Sequence, residues 1–302
     1  MKSTQHKLLL FLRGVVMGAV DLVPGISAGT IAFVTGIYEE LIESIKSFNL
    51  DALTTLKNHG FSAAWRHVNG EFLLILTSGI LFSLFTLAGV MSYFLEVFPL
   101  PLWSFFIGLI VASVIYLLRQ HPPKRFLELL LLAVGIVLAY GLSVSTAGSM
   151  EGNYLSLFLA GSIALCAMIL PGISGSFILV LLGLYPVFIN ALDNFDWGFL
   201  LTFAAGGVMG LMLFSRLLSW LLKDYKAAVI ATMCGFLIGS LSILWPWKQT
   251  ISTGFENISP QNYLEYVGQD PQTLTCILMF FAGLFIVLII EMISLRLKRK
   301  SV

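Results

Sequence analysis

Apolar runs separated by short polar links fill this chain, and the runs fall into two length classes. Six are long enough to cross a bilayer as helices, which takes about 20 residues. They lie near 72–95, 102–118, 127–146, 198–222, 227–246 and 273–295. Two regions are built from shorter runs. Leu8 to Val20 ends at Asp21, and Ile26 to Tyr38 ends at Glu39 and Glu40. Runs of about 10–14 residues are typical of re-entrant segments. Residues 8–45 are therefore expected to enter a membrane, break at Val23-Pro24-Gly25 and return. Residues 155–192 are expected to do the same, although the return leg from Ile173 to Ala191 is also long enough for a full crossing.

The two short-run regions are copies of each other. Pro24-Gly25-Ile26-Ser27-Ala28-Gly29-Thr30 is matched by Pro171-Gly172-Ile173-Ser174-Gly175-Ser176-Phe177, and Gly36-Ile37-Tyr38 by Gly183-Leu184-Tyr185. Beyond the motif, Gly79 matches Gly206, and Gly108 through Ser113 matches Gly235 through Ser240. The register changes between these two sets of matches, which locates an insertion in the first half around residues 50–70. Each half is thus a hairpin followed by three spans. The first repeat covers 1–150 (hairpin 8–45, spans 72–146) and the second 151–302 (hairpin 155–192, spans 198–295), in one integral membrane domain. Three crossings are an odd number, so the second hairpin is expected to enter from the opposite face. An all-α polytopic fold with an inverted-topology repeat is the expected class, a common architecture for secondary transporters.

Composition agrees with a membrane protein. The chain is 58% hydrophobic and 11% charged, against about 25% charged in soluble domains. Net charge is +1, and no nucleic-acid partner is expected. The layout of the charges is more informative. Lys2, Lys7, Arg13, Lys46, Lys57, Arg66, Arg119, Lys124, Arg125, Lys223, Lys226, Arg296, Lys298, Arg299 and Lys300 all fall on one side of the expected spans. The other side holds Glu96, Glu151, Asp193, Asp196, Glu256, Glu265 and Asp270, with Lys248 as its only base. Basic loops stay cytoplasmic, so both termini are expected on the cytoplasmic side of the membrane. Trp103, Trp197, Trp245 and Trp247 fall at outer ends of spans, where aromatic anchors belong.

Proline lacks a backbone donor and breaks helices, but at a first helical position next to Ser or Thr it starts them well. Each return leg is expected to begin near Pro24 or Pro171, with its free N–H groups and positive dipole end at mid-membrane. Gly25, Gly29, Gly172 and Gly175 permit close approach, and Ser27, Thr30, Ser174 and Ser176 add hydroxyls. Two such starts converging from opposite faces suit an anion, phosphate above all. Intramembrane charges are costly and usually functional. Arg216, within 198–222, and Arg13 are candidate phosphate cations. Asp21 and Glu39 are candidate coupling carboxylates for a proton or sodium ion, and Asp21 has Met168 as its uncharged counterpart. Cys166, Cys234 and Cys276 lack ligand spacing, and His6, His59, His67 and His121 lie in polar links. No catalytic residue, metal site or cofactor is assigned.

Val23-Pro24-Gly25-Ile26-Ser27-Ala28-Gly29-Thr30, followed by Gly36-Ile37-Tyr38-Glu39, resembles the signature of the bacterial polyprenyl-phosphate (undecaprenyl-phosphate) translocases. Ala28 departs from the second glycine expected there, which Gly175 supplies in the other copy. The resemblance covers nearly the whole chain. It implies a translocase returning the carrier lipid phosphate from the outer to the cytoplasmic leaflet for envelope synthesis, with the prenyl tail left in lipid. The residues alone leave two alternatives: a secondary transporter of a small soluble anion or sugar phosphate, and a lipid-modifying membrane enzyme.

Overall fold

All six long apolar runs are helical in a computed structural model of the chain, which describes residues 2–22, 27–144, 150–251 and 254–299. In chain order the helices are α1 (Lys2–Asp21), α2 (Ala28–Val34), α3 (Tyr38–Lys46), α4 (Leu50–His59), α5 (Phe61–His67), α6 (Gly70–Val97), α7 (Pro99–Gln120) and α8 (Phe126–Val144). The second half adds α9 (Tyr154–Ile169), α10 (Gly175–Leu181), α11 (Tyr185–Asp193), α12 (Trp197–Asp224) and α13 (Lys226–Leu244). Two strands follow, β1 (Lys248–Ile251) and β2 (Gly254–Asn257), then α14 (Pro260–Val267) and α15 (Thr273–Arg299). Helices α6, α7, α8, α12 and α13 are long and apolar enough to cross a membrane. The antiparallel β1–β2 pair, with Lys248 opposite Asn257, departs from a purely helical fold. Its residues lie in a polar link too short to show a helical period.

The element order repeats, and so do its dimensions. Helices α2 and α10 have 7 residues each, α3 and α11 have 9, and α6 and α12 have 28. The sequence reading drew each return leg as one helix. Instead the leg bends, by 114° between α10 and α11. The cause is local. Gly36 and Gly183 sit at φ +74° and +73°, in the left-handed region that only glycine enters freely. On either side of each glycine, the backbone closes α2 through Ile37 N–H to Ala32 O (3.0 Å) and Gly36 N–H to Phe33 O (3.2 Å). The same pair of bonds ends α10, from Leu184 to Leu179 (2.9 Å) and Gly183 to Val180 (3.0 Å). This is a Schellman ending, and it rules out one straight span from Ile173 to Ala191. A 7-residue helix rises only about 10 Å.

Two compact units form, one from Met1–Gly89 with Ala147–Val229 and one from Val90–Thr146 with Ile230–Val302. Each draws on both sequence halves. In the first unit, α1 crosses α6 where Gly14 faces Leu76 O and Gly79 faces Phe11 O. Helices α9 and α12 repeat this crossing, with Gly161 on Phe203 O and Gly206 on Phe158 O. Contacts advance together along both helices, from Phe11–Gly79 to Gly18–Ser83 and from Phe158–Gly206 to Ser162–Gly210. Each pair is therefore parallel, and the chain between its members returns to the end from which it set out. A Lys7–Glu71 ion pair joins the starts of α1 and α6.

In the second unit the partners are exchanged between halves. Gly108 of α7 lies on Phe280 O of α15, and Gly283 on Phe105 O. Gly135 of α8 lies on Thr232 O of α13, and Gly235 on Leu132 O. A methyl group at any of these glycines would meet backbone at under 3.0 Å. Small residues at crossings are how membrane helices approach closely enough for dispersion forces to hold them.

Overpacking a crossing forces backbone apart, at about 1–3 kcal/mol. Gly206→Leu is expected to lower the thermal midpoint of the detergent-purified protein. Gly89→Ala, at a position with open space around it, is expected to leave the midpoint unchanged.

Candidate functional site

Both copies of the motif lie in the first unit, and they clasp each other. Ser27 caps α2 with extended backbone (φ −108°, ψ 140°), and its Oγ accepts the Gly29 N–H. The same hydroxyl donates to the carbonyl of Met168, 2.5 Å away at the end of α9. In return, Gly172 N–H donates to Thr30 Oγ1 at 3.1 Å. Gly29 rests directly on the carbonyls of Met168 and Ile169, so no larger residue fits there. Ser27 and Thr30 are fully buried. A break in a helix leaves N–H and C=O groups without partners. Where water is absent, an unpaired group costs several kcal/mol. Both bonds pair side chains of the first copy with backbone groups of the second, so the break in the second copy is satisfied by the first.

Asp21 completes the first copy. Its Oδ1 accepts the Ala28 N–H at 3.3 Å. The first two donors of α2 are therefore taken by Asp21 and Ser27, and a carboxylate already sits at the positive end of the helix. The second copy is the opposite. Ser174 has nearly the same backbone (φ −96°, ψ 137°) but makes no side-chain cap. Its Oγ instead pairs with Ser176 Oγ at 2.8 Å, at an exposed position. Of the two helix starts expected to converge on an anion, α10 presents open donors and α2 does not. Pro24 and Gly25 lie outside the described residues. Pro171 and Gly172 are buried, and Gly175 sits over the Ala164 carbonyl.

The expected cations do not meet the motif among the described residues. Arg216 is exposed, and its guanidinium bonds Met212 O of its own helix at 3.2 Å. Arg13 is half-buried and makes no ion pair among the described residues; the charge acting on it is Glu40. Glu39 is 2.5 Å from Lys226 at the start of α13.

That ion pair belongs to a polar lattice around α3 that the sequence reading missed. Lys46 bonds Glu43 at 3.1 Å and Ser219 Oγ at 2.7 Å. Ser219 in turn donates to Glu43. Asn69 bridges Glu40 (3.1 Å) and Ser44 (3.2 Å). Partial burial would raise the pKa of Glu43, but the bonds from Ser219 and Lys46, with the charges of Lys46 and Lys223, hold it below the usual carboxylate range. The repeat carried a signal for this lattice. Counterparts of Glu39, Glu40, Glu43 and Lys46 are Pro186, Val187, Asn190 and Asp193, so only α3 can be tied this way. Burial follows: Tyr38 is 2% exposed and its counterpart Tyr185 39%.

Comparison with known proteins bears on this geometry. A family model described as undecaprenyl phosphate translocase-like matches residues 17–262. A Vibrio cholerae protein named polyprenyl-phosphate transporter is 42% identical over 300 residues, covering 96% of this chain and 97% of its own length. A Staphylococcus aureus protein of the same name is 32% identical over 264 residues, covering 82% of this chain and 89% of its own. No solved structure matches.

Thr30→Val keeps the shape of the clasp but removes the acceptor for the buried Gly172 N–H, which costs about 1–3 kcal/mol. The variant is expected to melt lower than wild type, and Thr30→Ser to restore most of the loss.

Proposed function

Because the chain belongs to the undecaprenyl phosphate translocase-like family, we propose that it transports polyprenyl phosphate across the cytoplasmic membrane. In this reading it returns the lipid from the outer to the inner leaflet. A phosphate head cannot cross hydrocarbon bare. Its resting place in the protein is the start of α10. One observation carries this assignment. The hydroxyls of Ser174 and Ser176 are paired and exposed beside a helix start that no side chain caps among the described residues, whereas the equivalent start of α2 is closed by Asp21 and Ser27. Free N–H groups with hydroxyls beside them are what phosphate oxygens bind.

The two motif copies then act unequally. The second cradles the phosphate, and the first, through Asp21, is the coupling element. Protonating Asp21 would remove the charge that caps α2 and loosen the buried copy. The repeats enter the membrane from opposite faces, with both termini cytoplasmic. The parallel runs of α1 with α6 and of α9 with α12, and the one-sided basic residues, support that layout. Movement of the α1–α6 pair against the α9–α12 pair, each held together by its own glycine crossing, exchanges the exposed face. The lattice holding α3 to α12 and to Lys226 latches the cytoplasmic side, while α11, which lacks those charges, leaves the opposite side free. Arg216, exposed and without a carboxylate among the described residues, is available to follow the phosphate on its way in.

Leaflet-resolved accessibility of polyprenyl phosphate in vesicles tests the reading, with proton and sodium gradients varied. Wild type is expected to clear the lipid from the outer leaflet. Ser174→Ala/Ser176→Ala is expected to slow clearance at least about tenfold, the loss of one to two charge-assisted bonds. Asp21→Asn and Arg216→Ala are expected to abolish clearance at normal expression. If all three variants clear the lipid normally, the site assignment is wrong. Lys226→Glu is expected to slow transport, and adding Glu39→Lys to recover part of it. No recovery would mean that the Glu39–Lys226 pair is not the latch.

A further inference from the structure

The segment between α13 and α15 has no counterpart in the first repeat, where a few residues link α7 to α8. In the second unit this insertion holds two tryptophans in fixed poses. Trp245 Nε1 donates to Ile258 O, and Trp247 Nε1 to Pro271 O, both at 2.8 Å. The indoles meet edge to face, with centroids 5.4 Å apart at 72°. Behind Trp247 lie Leu100, Ile258, Tyr263 and Cys276. Trp247 is only 8% exposed, so it is not the interface anchor its sequence position suggested. In front of the pair is a cavity of about 260 Å³, walled by Trp245, Trp247, Ile107, Ile277, Phe280 and Phe281.

One residue beyond Trp247, at the start of β1, is a cation without a counter-charge among the described residues. Lys248 is half-buried, with its ammonium 5.4 Å from the centroid of the Trp103 ring. It donates to the Ile243 carbonyl and makes no ion pair among the described residues. Burial lowers its pKa to about 8, so near neutrality it stays charged at a cost that an anion would offset. It is also the only base among the links read as external, where seven carboxylates repel any other anion-binding surface.

We infer that this pocket is an outer-leaflet loading site for polyprenyl phosphate, with the phosphate on Lys248 and the first isoprene units against the aromatic walls. The inference rests on the transport reading and adds a second, earlier station for the same lipid. Charge complementarity selects a phosphate-bearing lipid over a neutral one. Shape selects an isoprenoid over a straight acyl chain, because planar, methyl-branched alkene units lie flat on rigid aromatic faces. A preformed pocket also spares the ordering cost of binding, which suits capture of a dilute lipid.

The test uses the full chain in phosphatidylcholine nanodiscs with a diazirine-bearing farnesyl phosphate. Labelling is expected within 245–251 and 273–285, suppressed by excess farnesyl phosphate and not by phosphatidylglycerol. Lys248→Gln is expected to weaken farnesyl phosphate about tenfold, the value of one charge-assisted bond, and to leave farnesol unchanged. Ile277→Trp, which fills the cavity, is expected to weaken both ligands. Should it fail to fold, the Lys248→Gln comparison decides alone. Labelling elsewhere, equal suppression by phosphatidylglycerol, or equal affinity of wild type and Lys248→Gln would overturn the inference. The leaflet assay separates the two readings. Normal clearance with labelling elsewhere removes the loading site only, and the expected labelling without clearance removes the transport reading only.

Discussion

Two broken helices inside an apolar protein need partners for the groups the breaks expose, and the rest of the first unit follows from how that need is met. Ser27 reaches Met168 O, and Thr30 receives Gly172 N–H. Water would supply such bonds at a surface, but hydrocarbon cannot. The first motif copy is therefore a structural requirement of the second. Their residues have diverged within that constraint. Thr30 is the acceptor in one copy, and Phe177 stands at its place in the other. The clasp is one-sided, and so is burial: the first copy is closed, the second half-open. A symmetric ancestry combined with asymmetric bonding distinguishes a helix start that binds its own protein from one able to bind something else.

Around the clasp, glycine sets the geometry of the long helices. Backbone carbonyls meet glycine α-carbons at four crossings, two in each unit, at repeat-related positions. With no hydrophobic driving force between helices in lipid, this closeness is the source of their attraction. The crossings also hold the motif firmly. Helices α1 and α9, which carry the breaks, are pinned along α6 and α12 a few turns before the chain turns back.

Much of this was legible in the residues. Long apolar runs gave the spans because a bilayer sets their length, and Pro-Gly with a following Ser marked where helices stop and restart. The bends at Gly36 and Gly183 were visible as repeated landmarks, but a left-handed glycine between two apolar helices leaves no break in hydropathy. Which helix start stays open was not legible, because it depends on the reach of Asp21 across a turn to the Ala28 N–H. Arg216 misled for a related reason. Its depth in the span follows from sequence, but its direction follows from the phase of α12, which leaves it exposed and bonded to Met212 O of its own helix. The pairs Lys226–Glu39 and Ser219–Glu43 join residues far apart in the chain, and only the absence of those charges in α11 hinted at them. The β1–β2–α14 insertion has no span-like pattern, and nothing in its residues shows that it holds two indoles edge to face.

The exchange of partners in the second unit has a consequence for biogenesis. Helix α7 packs on α15, and α8 on α13. A ribosome therefore releases α7 and α8 into the membrane long before their partners exist. Both must wait there with their glycine faces uncovered, open to lipid or to the insertion machinery, and α7 is covered only when α15 is made. A chain cut before α15 would hold every helix of the first unit and leave α7 of the second without its partner. The glycine face of α7 is thus the last of the four crossings to close.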